Sequence, residues 1–550
     1  MLTAADILGP QGAIARRLTN YEDRPQQLAM AEAVAKAIAA KRHLVVEAGT
    51  GVGKSFAYLV PAILAATADE GREKKEGEDE ERTGPRRVVI STHTIALQEQ
   101  LLRKDLPLLN SVIPREFTAV LAKGRRNYVS LRRLESAAAR AGSLFSDSEE
   151  HATLRELLAW SKETHDGSLA DFDRKPLATV WDEAASDSGN CLGRKCPTYN
   201  KCFYYAARRR MQNAHLIIVN HALLFSDIAL RRVGVSLLPD YDVVVLDEAH
   251  TVEQVAGDHL GIAISTGAVE YQLNKLYNDR TQKGLLVGKN LTDAMQQVDR
   301  CRVRADEFFG DLWSWGLQHG PKNGRITQAE IVGPELSTEL QILARKVQAA
   351  ANGIKNEVEK QDYTAAHDRL LGMAGELEAW RTQADEGAVY WMETSESRRG
   401  APRMKLVAAP IDVGPALREQ LFEQVPSVIL TSATLCTGKQ ANFDYFRTRV
   451  GLTQCDTLQL GSPFNYREQA KLITHRDMPD PTQEKTAFEK KSLEWIQHYV
   501  AQTDGRAFVL FTNYETLRRA ATGLTPWLAK WNLKLLSQAD GSPRTKMVED

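Results

Sequence analysis

Two short runs carry residue types and spacings suited to phosphate chemistry: Ala48-Gly49-Thr50-Gly51-Val52-Gly53-Lys54-Ser55 and Asp247-Glu248-Ala249-His250. Glycines let backbone N–H groups turn inward on an anion, and a helix starting at such a loop adds positive potential. Lys54 would reach the β- and γ-phosphates of a nucleotide, and Ser55 would sit on a magnesium ion. Ala48 stands where the strict pattern has glycine, so the loop is the relaxed form. In the second run Asp247 would hold the metal through water, and Glu248 would polarise the water that attacks the γ-phosphate. Lys54, Asp247, Glu248 and His250 form the candidate catalytic set. In this order the two runs imply a nucleotide-hydrolysing motor.

The elements that must position these residues are legible around them. The apolar run Leu44-Val45-Val46 leads into the first motif, and Phe56-Ala57-Tyr58-Leu59-Val60 leaves it, which reads as strand, turn, helix. Val243-Val244-Val245-Leu246 is a fully apolar strand ending at Asp247. Ahead of the loop a helix is expected over Leu28–Ala40, and Gln27 before it offers one donor and one acceptor to an adenine edge. Gln27 thus joins residues 48–55 as a candidate nucleotide contact. Residues 69–86 are nearly all charged or glycine and predict a surface loop. Further strands are expected at Val88-Val89-Ile90, Leu216-Ile217-Ile218-Val219, Val389-Tyr390-Trp391-Met392, Ser427-Val428-Ile429-Leu430 and Ala507-Phe508-Val509-Leu510-Phe511. Hydroxyl residues at strand ends, Ser91-Thr92 and Thr431-Ser432, suit contacts to a nucleic-acid backbone. Residues 255–390 read as mostly helical, with Leu336, Leu340, Leu343, Val347, Ile354, Val358, Leu370, Leu377 and Trp380 at core spacing.

A chain of 550 residues exceeds one core and implies about three or four domains. Its 43% hydrophobic and 26% charged content is that of an ordinary globular protein. No apolar run approaches the ~18 residues of a membrane span, and residues 1–6 do not open a secretory signal, so a cytoplasmic protein is expected. With a net charge of −1, nucleic-acid binding would rest on local patches. Of six cysteines, Cys191, Cys196 and Cys202 crowd one loop, which outside an oxidising compartment reads as metal ligation before disulfide. Arg125, Arg126, Arg132 and Arg133 and the run Arg208-Arg209-Arg210 flank that loop. Such charge runs are usually solvated surface, but their place raises the odds of phosphate contact.

The order of motifs resembles superfamily 2 helicases, and the cysteine-bearing stretch resembles their DinG/XPD iron–sulfur branch, closer to bacterial DinG. The resemblance is carried by the phosphate loop, Thr92–Leu101 with Gln98, Lys123-Gly124-Arg125-Arg126-Asn127-Tyr128, the three cysteines, Val219-Asn220-His221-Ala222-Leu223-Leu224, Asp247–His250, Thr431–Leu435 and Ser462-Pro463-Phe464. It implies an α/β fold of two RecA-like lobes. The first lobe would comprise residues 1–122, 211–254 and 406–439, interrupted by an iron–sulfur-type insertion at 123–210 and a helical arch at 255–405. The second would occupy 440–550 and be incomplete, since the family's late Gln-x-x-Gly-Arg motif is missing; no nuclease domain would precede Tyr21. It further implies an ATP- and Mg2+-dependent DNA helicase of repair or replication. Such an enzyme would move 5′ to 3′ on single-stranded DNA, act on forked or tailed duplexes, work as a monomer, and associate with the nucleoid. A [4Fe–4S] cluster on Cys191, Cys196 and Cys202 is also implied.

One departure concerns that cluster. The family's first cluster cysteine is replaced here by Ser130, in Tyr128-Val129-Ser130-Leu131. Three thiolates could hold a [4Fe–4S] cluster with serine or water on one iron, a [3Fe–4S] cluster, or zinc with a fourth donor; the loop could equally be metal-free. Two other activities also fit the motifs: an ATP-switched nucleic-acid-binding damage sensor or scaffold that does not unwind, and an RNA helicase.

Overall fold

The computed structural model describes residues 2–19, 21–68, 86–172, 174–231, 234–288, 290–321, 323–396, 402–438 and 441–538. Most of the charged stretch at 69–86 therefore lies outside the described residues. The chain divides into two compact units, Met1–Pro463 and Phe464–Asp550.

The first unit is built on strands β1 (Leu44–Ala48), β2 (Val88–Thr92), β3 (Ala119–Leu121), β4 (Leu216–Asn220) and β5 (Val243–Asp247). Strands β6 (Ile262–Ser265), β7 (Arg325–Ile326), β8 (Ala388–Glu396) and β9 (Pro402–Pro410) form a separate sheet. Strands β10 (Ser427–Ser432) and β11 (Asp456–Leu460) return to the first, which is entirely parallel in the order β11-β1-β10-β5-β2-β4-β3. Its central strands are near-continuous apolar runs because both faces are covered. The period of two divides them: Val46, Val88, Ile90, Val243 and Val245 pack with the helices Pro25–Ala39 and Lys54–Ala66. Val45, Val89, Val244, Leu246 and Leu430 face the opposite core, with Leu224, Phe225 and Ile228 of helix His221–Arg231. The α/β fold expected from the sequence is thus a doubly wound parallel sheet, whose crossovers bring the carboxyl ends of β1, β10 and β5 side by side.

Between β3 and β4 a helical insertion with its own small core (Val129, Leu134, Leu157, Val180) carries the three cysteines. Between β5 and β10, helices Thr292–His319, Glu335–Asn352 and Glu357–Arg381 pack on an antiparallel sheet, β6-β9-β8-β7. The heptad-spaced Leu336, Leu340, Leu343, Val347, Leu370, Leu377 and Trp380 are all buried in this core. The sheet beneath was not legible as strands beyond Val389–Met392, since β7 is two residues long and β9 alternates charged with apolar residues. It also carries the chain across the boundary expected at 405, because β8 and β9 pair along their whole length. Strand β11, expected in the second lobe, instead pairs with β1.

The second unit holds helices Lys485–Gln502 and Tyr514–Lys530, joined through Val500, Leu524 and Leu528. The strand expected at 507–511 does not form: Phe508 and Leu510 are more than nine-tenths exposed. A strand needs a neighbour to take its backbone groups, and none is present among the described residues of this unit.

Candidate active site

The loop after β1 turns through Gly51 (φ 86°) and Gly53 (φ 82°), left-handed conformations that favour glycine, and Lys54 opens the helix Lys54–Ala66. No side chain caps that helix, which leaves its first N–H groups to an anion. Ala48 and Val52 are fully buried and anchor the loop from below. Ser462 lies against it: its hydroxyl donates to the Thr50 carbonyl at 3.3 Å, and a Cβ on Gly49 would come within 3.1 Å of the Ser462 Cα. Gln27 also reaches the loop. Its Nε2 donates to the Gly53 carbonyl at 3.0 Å, and a Cβ at Gly53 would collide with that nitrogen at 2.1 Å. One Gln27 donor is therefore spent on the phosphate loop itself.

Asp247 ends β5 with its carboxylate buried. Oδ2 accepts from the Tyr58 hydroxyl at 3.0 Å and Oδ1 from the Glu248 N–H at 2.9 Å. Tyr58 sits one turn after Lys54, is wholly buried, and also engages Ser55. The phosphate loop and the acidic turn are thus joined through one phenol. Burial first, then the neighbouring Glu248 charge, pushes the Asp247 carboxyl up to about 6, against the hydrogen bond from Tyr58. Burial and Asp247 together hold the Tyr58 phenol well above its usual range.

Glu248 adopts a left-handed conformation (φ 53°, ψ 46°), sparsely populated for a residue with a Cβ and often found where a functional turn over-determines it. The turn brings Glu248 and His250 to the end of β10, where Ser432 Oγ lies 2.7 Å from His250 Nδ1 and 3.5 Å from Glu248 Oε2. Behind them, buried His221 links three strands. Its Nε2–H donates to the Asp247 carbonyl at 2.9 Å, and Nδ1 lies 2.7 Å from the Ser91 hydroxyl. Burial pulls the imidazole down to about 4, so the ring is neutral.

Sequence reasoning assigned no role to Tyr58, His221 or Glu47. Glu47 Oε2 accepts from the N–H groups of Leu435 (2.5 Å) and Cys436 (2.6 Å), and Oε1 from Gln459 at 2.9 Å. Burial would raise this carboxyl, but the Cys436, Gln459 and Leu435 donors together hold it below its ordinary value. A charged residue inside an apolar strand, Leu44-Val45-Val46-Glu47-Ala48, was the signal available for it.

The cysteine loop is arranged differently. The Gly193 N–H donates to Cys191 Sγ at 3.4 Å, and Cys196 Sγ lies 3.3 Å from the Thr198 hydroxyl. Cys202 stands at the N-cap of helix Phe203–Gln212. Ser130 caps helix Leu131–Ala139, accepting from the Arg133 N–H at 3.4 Å. Among the described residues no three His, Cys, Asp or Glu side chains converge to hold a metal. The flanking arginines divide: Arg126, Arg209 and Arg210 are exposed, and the others are held by the protein. Arg125 lies 3.9 Å over the Tyr204 ring, Arg126 pairs with Asp182, and Arg208 donates to the Leu237 carbonyl at 2.6 Å. Arg132 and Arg133 are buried.

A parallel sheet with a glycine loop after β1 and an acidic turn after β5, at one end, is the arrangement of a P-loop nucleotide hydrolase. Residues 24–138 match the DEAD/DEAH box helicase family and residues 187–269 the DEAD_2 family. The chain is 30% identical over 520 residues to the ATP-dependent DNA helicase YoaA of Escherichia coli K12, covering 94% of this chain and 75% of that one. It is 29% identical over 573 residues to the ATP-dependent DNA helicase DinG of Photobacterium profundum, covering 96% and 79%. A solved XPD helicase overlays 92% of this chain and 75% of its own, at 14% identity and a TM-score of 0.43. The chain belongs to the YoaA/DinG family of DNA helicases. No helix among the described residues is long and apolar enough to cross a membrane.

Proposed function

We propose that the chain is an ATP-dependent DNA helicase that hydrolyses ATP at the loop 48–55 and the turn 247–250 and moves 5′ to 3′ along single-stranded DNA as a monomer, opening forked or tailed duplexes. The observation that carries the hydrolytic site is the Tyr58–Asp247 hydrogen bond of 3.0 Å, which fixes the acidic turn against the helix that opens with Lys54. In this reading the loop N–H groups and Lys54 bind the phosphates, and Ser55 and Asp247 hold magnesium, which when bound neutralises phosphate charge. Glu248, set by its left-handed turn, orients the attacking water. Ser432 touches both His250 and Glu248 and ends β10, so in this reading it couples the hydrolytic turn to the segment that follows.

The test is displacement of a labelled strand from duplexes with 5′ or 3′ tails, alongside DNA-stimulated ATP hydrolysis. Unwinding of 5′-tailed substrates alone supports the reading; hydrolysis without displacement would make the chain an ATP switch. A [4Fe–4S] cluster on Cys191, Cys196 and Cys202 rests on residue types and their shared loop. Iron and acid-labile sulfide assays on anaerobically purified protein test it, and their absence would leave the loop metal-free.

A further inference from the structure

Between the cysteine-bearing insertion and the helical one lies a crevice of about 60 Å³. That is several times the ~10–15 Å³ a single water needs, so one bridging water does not fill it. Arg132, Arg133 and Arg140 line one side, and Lys275 and Arg369 the other; the acidic groups among its walls are Glu183 and Asp362. Cations therefore outnumber anions in a partly enclosed space, where field is focused.

The arginines are not merely cross-linked to their surroundings. Arg132 is only 6% exposed, and arginine is rarely buried so far without full pairing. Its Nη2 donates to the Asn190 carbonyl at 2.5 Å, and Arg140 Nη2 to Asp362 Oδ2 at 3.2 Å. Arg369 Nη2 donates to Asp187 Oδ1 at 2.7 Å, and Arg133 to the carbonyls of Ala185 and Asp182. Arg132 Nη1, Arg140 Nε and Asn190 Oδ1 remain buried and without a partner among the described residues. Buried unsatisfied donors on a cation are costly, and two of them on residues lining one crevice point to a missing acceptor. A half-turn of the Asn190 amide would add an N–H2 donor to the pair. Asp362 does not supply what is missing: it takes Arg140 Nη2, and neither Arg132 Nη1 nor Arg140 Nε bonds to it.

We propose that this crevice binds a phosphate-type oxyanion on the free N–H groups of Arg132 and Arg140, and that its occupancy pins the two insertions together. Guanidinium forks match tetrahedral oxyanions in charge and geometry. The phosphate could belong to a free anion or to a DNA strand, and the chemistry is common to both.

The test uses the full chain carrying Lys54→Ala, so that the phosphate loop contributes little. Inorganic phosphate is titrated calorimetrically, and hydrogen exchange of residues 131–140 and 357–369 is compared in phosphate and in sodium chloride of equal ionic strength. Saturable binding with protection of both segments is expected, weakened about tenfold in Arg132→Gln and in Arg140→Gln for the loss of one charge-assisted hydrogen bond. Arg140 lies at the more exposed rim, so its variant reports even where Arg132→Gln does not fold. No protection beyond that in chloride, or unchanged binding in Arg140→Gln, overturns the site. Competition by a short oligothymidylate assigns the phosphate to a strand, and its failure to compete assigns it to a free anion; either result upholds the oxyanion site.

Discussion

At the carboxyl end of the large sheet, Asp247 and Ser432 end strands whose register is fixed by parallel ladders, and Ser55 and Tyr58 lie on the helix that follows β1. In the cysteine-bearing insertion, Arg125, Arg126, Arg132 and Arg133 are placed by what their own guanidinium groups bond. The first kind of placement is rigid before any ligand arrives, since buried apolar strands tolerate little displacement. The second rests on side-chain bonds, several to backbone carbonyls, and not on strand register. A motor needs both: a fixed hydrolytic end, and a separate region able to respond to what is bound.

The contrast predicts that substitutions at the sheet end change chemistry while leaving structure nearly intact. Lys54→Ala should lower ATP hydrolysis by roughly 10²–10³-fold, the range for removing one preorganised charge from a phosphoryl or oxyanion site. Circular dichroism should be unchanged, because the ammonium group packs in no core. Glu248→Gln should retain nucleotide binding, measured with a fluorescent ATP analogue, while single-turnover hydrolysis falls by a similar or somewhat smaller factor. Wild-type rates in either variant would remove the sheet end from the chemistry and dissolve the comparison.

A third substitution sharpens it by attacking the tie between loop and turn. Tyr58→Phe keeps the buried ring but leaves Asp247 Oδ2 without its donor. That should cost about 1–3 kcal/mol of stability, read from the urea midpoint at constant m-value. An unchanged midpoint would mean that Asp247 finds another donor.

The two regions also differed in how far the sequence revealed them. The glycine loop and Asp247–His250 were legible because each is a local run after an apolar strand, and the core leucines because spacing alone buries them. Tyr58 was not legible. In Phe56-Ala57-Tyr58-Leu59-Val60 it looks like any core aromatic, and only the adjacency of β1, β10 and β5 brings it to Asp247. Arg132 and Arg133 misled in the opposite direction. They read as surface charge, but the carbonyls of Asn190, Ala185 and Asp182, some fifty residues on, require donors. Phe508 and Leu510 had strand composition without a neighbouring strand to pair with, which composition cannot disclose.

The smallest effect expected is one of pH, and in the cysteine-bearing insertion it turns on Asp182. Asp182 accepts from Lys275, Tyr271 and Arg126, so two of its partners come from the helical insertion and one from its own. Burial would raise this carboxyl, but Lys275 first, then Tyr271 and Arg126, hold it far below its ordinary value of about 3.8. A carboxyl depressed in the folded state binds fewer protons there than when released. Its contribution is complete above about pH 5 and declines as the pH falls through 3.8 and below. Lys275 keeps a second partner, Glu183 at 3.0 Å, and Arg126 is largely exposed, so the loss should be only ~1 kcal/mol. Hydrogen exchange between pH 5 and pH 3, corrected for the intrinsic rate, should therefore show helices Ala178–Ala184 and Thr266–Leu276 loosening. Asp182→Asn should loosen them already at pH 5 and remove most of their further acid response. Equal acid sensitivity in the variant would place the effect on other carboxyls and leave the docking of the two insertions independent of Asp182.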